Sequence, residues 1–458
     1  MNRMKLLLTI SAAWLIALPA AAQAMTPEEA AEMEALRARV ETLEGLVSRL
    51  VEAQGAVAAQ AEQAGAAAIA AQTAAAEATA ALAAQPSVSF DAAPRVRTAS
   101  GWDFRPFGRL QYDVASVNAP NAIDDPGLGF SNELRRGRIG VRGAMPGGFG
   151  YKVEIDFADN DVEFTDALLS YETGDVEFTI GQHNPFQSLE ELTSSRFTSF
   201  MERAAFTDAF AFERRVGASV GYSHGAFAWN GGVFTSNIDD LSSDEANAYS
   251  FDTRAIFSPE MEGTRLHFGG SLHYRDLNDN PGARYRQRPG VHSTDTRFID
   301  TGSLPVTGET SYGVEAAVIH GPFHAVAEGH WLRASLAGVP DPTFFGGYAE
   351  AGIFLTPGDS RGYDGGKFER TRPARPVGEG GIGAIQLNAR YDYLDLTDNG
   401  VTGGTQNLLG LAMIWTPIDH ARFSINYDHI EYDGAAIPAG PDTSYGVDVF
   451  GARAEVDF

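Results

Sequence analysis

Residues 446–458 read GVDVFGARAEVDF, with Phe450, Ala452, Ala454, Val456 and Phe458 on one parity. Val449, Gly451, Arg453, Glu455 and Asp457 fall on the other. Side chains alternate across a strand, so this segment turns one face to grease and one to water and stops on an aromatic residue. That is the closing stave of a membrane β-barrel, apolar toward lipid and charged toward a lumen. A soluble sandwich would show the charged face to bulk water and would have little reason to end on Phe.

The same texture extends upstream to Trp102. Phe149, Tyr151, Val153, Ile155 and Phe157 oppose Lys152, Glu154 and Asp156, while Leu266, Phe268, Leu272 and Tyr274 oppose Arg265, His267, Ser271, His273 and Arg275. Leu387, Ala389, Tyr391 and Tyr393 oppose Asn388, Arg390 and Asp392; Phe423, Ile425 and Tyr427 oppose Arg422, Asn426 and Asp428. Charges on so many inward faces suit a water-filled lumen and not a packed core. Strands are expected near residues 104, 134, 149, 164, 175, 214, 226, 250, 265, 311, 323, 346, 382, 406, 421 and 446, about sixteen in all. The fold class is therefore all-β: a 16-stranded antiparallel transmembrane barrel preceded by an α-helical coiled coil. An even strand number puts both barrel ends, and the coiled coil, on the periplasmic side. Tight turns are expected at residues 145–148, 172–174, 223–225 and 320–322, with longer external segments around 115–133, 183–213, 235–249 and 275–310. Residues 356–381 are long where a short turn is due, and a segment of that kind is expected to fold into the barrel mouth.

Four regions are expected. Residues 1–24 carry Arg3 and Lys5, the apolar run from Leu6 to Leu18, and Ala22-Gln23-Ala24, the pattern of a secretory signal. Residues 25–85 carry Met33, Leu36, Val40, Leu43, Val47, Leu50 and Val57 at alternating three and four spacing, with Gln54 in one polar slot. That a/d seam predicts a periplasmic coiled coil, continued by Ala61, Ala64 and Ala68. Residues 86–101 are read as a linker and 102–458 as the barrel. Beyond the signal, no run reaches the length of a spanning helix, so a membrane crossing must use strands.

The chain has no cysteine, which excludes disulfides, thiolate metal sites and a cysteine nucleophile. A formal net charge of −26 argues against nucleic acid as a partner. It does not decide what a locally positive lumen passes.

Several segments resemble the phosphate-selective porin O/P family: GRLQYD at 108–113, ELRRGRIGVRG at 133–143, YKVEIDF at 151–157, TDALLSY at 165–171, TIGQHNPFQSLEELTSSRFTSFMERA at 179–204 and LNARYDYLDL at 387–396. The resemblance implies a sixteen-stranded barrel, usually a homotrimer in outer-membrane lipid, whose third long loop folds inward as the constriction. It also implies insertion by the barrel assembly machinery through the C-terminal Phe458. By the same resemblance Arg135, Arg136, Asp166, Ser194, Ser195 and Arg203 match the family's phosphate site, with Arg109, Arg138, Glu191 and Arg196 as further pore-lining residues. Guanidinium forks and hydroxyls suit phosphate oxygens, and a carboxylate can accept from a protonated one. Two features depart from the pattern. Glu191 stands where phosphate-specific members carry lysine, and Lys152 and Lys367 are the only lysines of the barrel segment. Arginines at 109, 138, 142, 214, 215, 254, 265, 333, 390, 422 and 453 could form a ladder instead, or pair with acids along a solvated wall.

Other signals fall short. His320, His324 and His330 read as lumen or interface histidines; the polar run Asp276, Asn278, Asp279 and Asn280 lacks EF-hand spacing. Residues 358–367 are not a phosphate-binding Walker loop, and no nucleophile elbow is present. The expectation is a non-enzymatic porin without cofactor or metal that passes small hydrophilic solutes, chiefly anions including phosphate. The rivals are a general or cation-preferring porin and an outer-membrane tether acting through the coiled coil.

Overall fold

The computed structural model describes residues 26–158, 161–241, 248–278 and 282–458. The segment 1–24, read as a secretory signal, and Asp279 and Asn280 of the polar run lie outside them. The chain divides into two compact units between Ala84 and Gln85.

Among the described residues of the first unit a single helix, α1 (Pro27–Ala84), runs for 58 residues. Its start is a capping box: Thr26 Oγ1 accepts from the Glu29 amide at 3.4 Å, and Glu29 Oε2 accepts from the Thr26 amide at 3.0 Å. Pro27 at the first helical position needs no partner for a missing N–H. The a/d residues Met33, Leu36, Val40, Leu43, Val47, Leu50 and Val57 are all exposed.

The second unit is a closed antiparallel barrel. Its sixteen staves are β1 (Asp103–Asn118), β2 (Gly129–Met145), β3 (Phe149–Asp156), β4 (Glu163–Thr173), β5 (Val176–His183), β6 (Arg215–His224), β7 (Phe227–Phe234) and β8 (Tyr249–Phe257). They continue with β9 (Thr264–Asp276), β10 (Val306–His320), β11 (Phe323–Leu336), β12 (Thr343–Phe354), β13 (Ala384–Asp398), β14 (Val401–Ile418), β15 (Ala421–Asp433) and β16 (Tyr445–Asp457). Each pairs with its sequence neighbour, and β16 closes on β1 through the register Arg453↔Asp113. The parity of the last stave is the expected one: Phe450, Val456 and Phe458 are exposed, and Val449, Gly451, Arg453, Glu455 and Asp457 are buried. Phe458 and Gly108 exchange two backbone hydrogen bonds of 3.1 Å. A Cβ on Gly108 would lie 2.6 Å from the Phe458 ring, so glycine is what admits the terminal aromatic.

Three features differ from the sequence expectation. Residues 86–101, read as a linker, hold a hairpin, Ser87–Asp91 against Ala93–Arg97, whose second strand pairs with β1 at Phe104. The connection 355–383 is long at the turn end, as expected, but the unexpected counterpart is at the loop end, where Asn399-Gly400 closes β13 and β14 as a tight hairpin. Third, the lumen is not polar throughout. At the loop end the inward residues include Val117, Leu332, Phe344, Leu394, Leu396, Ile430, Val447 and Val449, all buried. They pack in one cluster with Phe206 and Phe210 of the connection 184–214 and with Phe298 and Ile299 of the connection 277–305. Two inward-folded loops give this end a core, so charge there would lack water.

Candidate pore constriction

The connection 184–214 enters the barrel; α2 (Leu189–Leu192) is fastened to the wall at its N-terminus and to the rest of the connection at its other end. Glu328 of β11 accepts from the Leu189 and Glu190 amides at 2.9 and 2.7 Å, placing a carboxylate on the helix N-terminus. Ser188 caps the same end, its hydroxyl accepting from the Glu191 amide at 3.2 Å. At the other end Arg203 donates to the carbonyls of Glu190 at 3.0 Å and Thr193 at 2.8 Å. α3 (Ala205–Ala209) follows, and Asp392 Oδ2 accepts from its Ala205 amide at 2.8 Å.

Bulges aim the wall residues. Gln111 pairs with Arg136 and Tyr112 with Leu134, which leaves Arg135 as an extra residue in β2. In β4 Thr165 is extra, between the pairs Glu154↔Asp166 and Ile155↔Phe164. A bulge turns two consecutive side chains toward one side, so Arg135 and Arg136, and likewise Thr165 and Asp166, all enter the lumen.

The ten sequence-predicted residues fall into linked groups rather than one ring of free donors. Arg109 donates to Ser195 Oγ at 2.8 Å, to Ser194 Oγ at 3.4 Å and to Glu154 at 2.9 Å. Arg196 reaches the same Ser194 hydroxyl at 3.2 Å and Asp457 at 2.9 Å. Arg138 pairs with Asp156 at 2.6 Å, and Asp166 takes Lys152 at 2.6 Å and Arg214 at 3.3 Å. Arg135 grips Glu202 with two bonds of 3.0 and 3.1 Å. Arg203 lies 3.4 Å from Glu191, the acid that departs from the family pattern. Arg136 is buried against a neutral partner, Gln111 Oε1 at 2.9 Å, and forms no ion pair among the described residues. Burial raises the Glu191 carboxyl above its ordinary value even though Arg203, Arg214 and Arg136 pull it down. For Glu202 burial acts the same way, but Arg135, Arg453 and Arg136 outweigh it and hold the group well below the usual carboxylate range.

The carboxylate partners are what sequence reasoning missed. Glu202 bridges Arg135 and Arg453, Asp113 binds Arg453 by two bonds of 2.7 Å, and Glu190 and Glu350 share Arg390. For Asp113 and Glu350 the signal was available, since they stand at inward parity across from Arg453 and Arg390; for Glu190 and Glu202, in the inward loop, it was not. Below the constriction the connection 355–383 folds into the barrel, as its length suggested. It forms a hairpin, Gly362–Asp364 against Lys367–Glu369. Phe368 is buried beside Thr193, Tyr363 meets His267 at 2.6 Å, and Arg361 donates to the Phe197 carbonyl. A protein-lined waist set with fixed guanidinium and hydroxyl donors is an arrangement that can sort ions.

Comparison with known proteins agrees with this architecture. The anion-selective porin from Comamonas acidovorans superposes with a TM-score of 0.50 at 11% identity, covering 78% of this chain and all of that one. The in-vitro folded OmpT of Vibrio cholerae in its trimer form gives 0.50 at 13%, again over 78% of this chain and all of that one. These likenesses show the fold. An uncharacterised protein of Caulobacter vibrioides is 48% identical over 386 residues, 82% of this chain and 78% of that protein. The profile of the phosphate-selective porins O and P matches residues 104–458, the whole barrel. The chain is thus an outer-membrane channel and not an enzyme, and it belongs to the phosphate-selective porin O and P family.

Proposed function

We propose that this porin passes small hydrophilic anions, inorganic phosphate among them, by passive diffusion through the arginine-lined constriction. The observation that carries the reading is the convergence of Arg109 and Arg196 on the Ser194 and Ser195 hydroxyls, with Arg136 near Glu202 and left without a carboxylate of its own. Guanidinium and hydroxyl donors are the groups that replace the hydration of an oxyanion. Because Arg109 and Arg196 already hold Glu154 and Asp457, an anion exchanges with carboxylates instead of filling bare charge. Such a site binds weakly enough to release its ion, as conduction requires. The likeness to an anion-selective porin supports the sign of this selectivity.

The test is phosphate block of chloride current in planar bilayers. The Arg109→Gln, Arg136→Gln double variant is expected to weaken the block by roughly 10-fold, the size of one or two lost charged hydrogen bonds. A block unchanged in that variant removes these residues from the path.

A second reading concerns α1. Its exposed a/d seam supports self-association, and the trimer form of OmpT supports three barrels. In this reading the helix is a trimeric coiled coil in the periplasm, roughly 90 Å long at 1.5 Å per residue, and Phe458 serves the assembly machinery.

A further inference from the structure

The hairpin of Ser87–Asp91 and Ala93–Arg97 has two chemically different faces, and its pairing fixes which is which. Residues directly opposite on paired strands share a face. Val88 stands opposite Val96, Val96 opposite Phe104, and Phe90 opposite Pro94. Phe104 has the parity of Leu110 and Tyr112 on β1, both exposed on the outer side of the barrel. One apolar surface therefore runs from the wall of β1 through Phe104 and Val96 to Val88, with Phe90 and Pro94 beside it. The other face is polar. Ser87 opposes Arg97, Ser89 opposes Arg95, and Asp103 opposes Arg97. Arg95 and Arg97 donate through Nε to the Asp103 carboxylate at 3.0 and 3.1 Å. Asp103 has the parity of Arg109, so this face continues the lumen side of β1. The hairpin sits where it does because β16 stops short. Asp457 pairs with Arg109 and Phe458 bonds to Gly108, which leaves the edge of β1 before Gly108 without a stave, and the strand Ala93–Arg97 takes that edge.

Among the described residues the apolar face is left bare: Phe90 is 78% exposed, Val88 57% and Phe104 48%. We infer that the hairpin is a lipid-binding extension of the barrel wall, with this face laid against phospholipid at the turn end of the barrel. Continuity favours lipid over another protein, since the face prolongs the surface by which β1 already meets the bilayer. The depth follows from the backbone. Ser87–Asp91 pairs with Ala93–Arg97 and with no other described strand, so its outer edge keeps free N–H and C=O groups. Such an edge cannot enter hydrocarbon, but at the boundary of headgroups and acyl chains water still reaches it. Aromatic side chains suit that boundary, and Arg95 and Arg97 on the far face stay in water. The hairpin follows α1 after Gln85 and Pro86, so it is the first element of the barrel unit that the chain forms beyond the helix. This role is independent of which solute the pore prefers.

The chain has no cysteine of its own, so one introduced thiol carries one nitroxide label. Val88→Cys and Ser89→Cys, neighbours on opposite faces, are made in the full-length protein and shown to form the barrel by circular dichroism. Each is reconstituted in bilayers of phosphatidylethanolamine and phosphatidylglycerol. The label replacing Val88 is expected to be severalfold more accessible to oxygen, which concentrates in lipid, than to a water-soluble nickel chelate, and the label replacing Ser89 to show the reverse. Equal access of the chelate to both labels overturns the inference, because the hairpin then stands in water. Exclusion of both reagents from the Val88 position, with spin–spin broadening relieved by unlabelled protein, overturns it as well, because a second copy then covers the face. The wild type supplies a reading that needs no variant to fold. A phospholipid with a photoreactive group on its acyl chain near the glycerol should leave adducts on Val88 or Phe90 as well as on the wall of β1. Adducts on that wall and none on the hairpin overturn the inference.

Discussion

Arg135 and Arg136 are consecutive, yet both reach the lumen, because β2 carries one residue more than β1 at that point. Strict alternation cannot reveal such a pair. Period-two reading puts one arginine in lipid, and only the bulge resolves the conflict. The resemblance to known porins pointed to both residues, but the partner that neutralises Arg135 is Glu202, far along the chain and invisible to any local pattern. Glu191 shows a different limit. Its departure from the family's lysine was legible, whereas its contact with Arg203 and its burial were not. A raised carboxyl loses its charge at a higher pH than an exposed glutamate, so anion preference is expected to rise as pH falls through that value. One charge removed a few ångströms from a passing ion is worth roughly 1 kcal/mol, severalfold in the anion-to-cation permeability ratio. Reversal potentials measured from pH 8 to pH 4 check this: Glu191→Gln should hold the higher ratio throughout and lose the step. A step of equal size in the variant would assign it to another group.

Among the elements, the staves were readable because each is amphipathic by itself, and all sixteen lie where alternation placed them. The loops were readable only in length. Residues 355–383 stood out as too long for a turn, but nothing local indicated that Phe368 would be buried beside Thr193 or that Tyr363 would bond to His267. Those contacts make the hairpin a plug beneath the constriction. Replacing residues 362–369, both strands of the hairpin, with Asn-Gly should raise single-channel conductance by roughly a factor of two while keeping the barrel. Unaltered conductance would mean that the segment lies off the ion path. For α1 the informative feature is an apolar seam that its own unit leaves exposed. Changing Leu36, Leu43 and Leu50 to Ser is expected to weaken the oligomer in detergent by several kcal/mol, at about 1.5–3 kcal/mol per buried leucine, with conductance per barrel unchanged. Cross-linking and sedimentation read the first effect; an oligomer that resists the substitution owes its stability to the barrels alone.

For the whole molecule, the many apolar and aromatic side chains that the barrel leaves exposed, such as Leu110, Phe178, Leu411 and Phe450, make sense only against lipid. The interior is harder to infer from sequence, because it holds a core at the loop end, an ion-paired waist and a plugged turn end, and each depends on connections folding inward. A formal charge of −26 coexists with a waist where arginines meet serines, so bulk composition says little about selectivity. The measurement that tests the central claim most directly is the zero-current potential of wild-type channels in a planar bilayer under a potassium chloride gradient, repeated with phosphate added. An anion-selective potential and a chloride current reduced by phosphate are predicted. A cation-selective potential with phosphate making no difference would contradict the account.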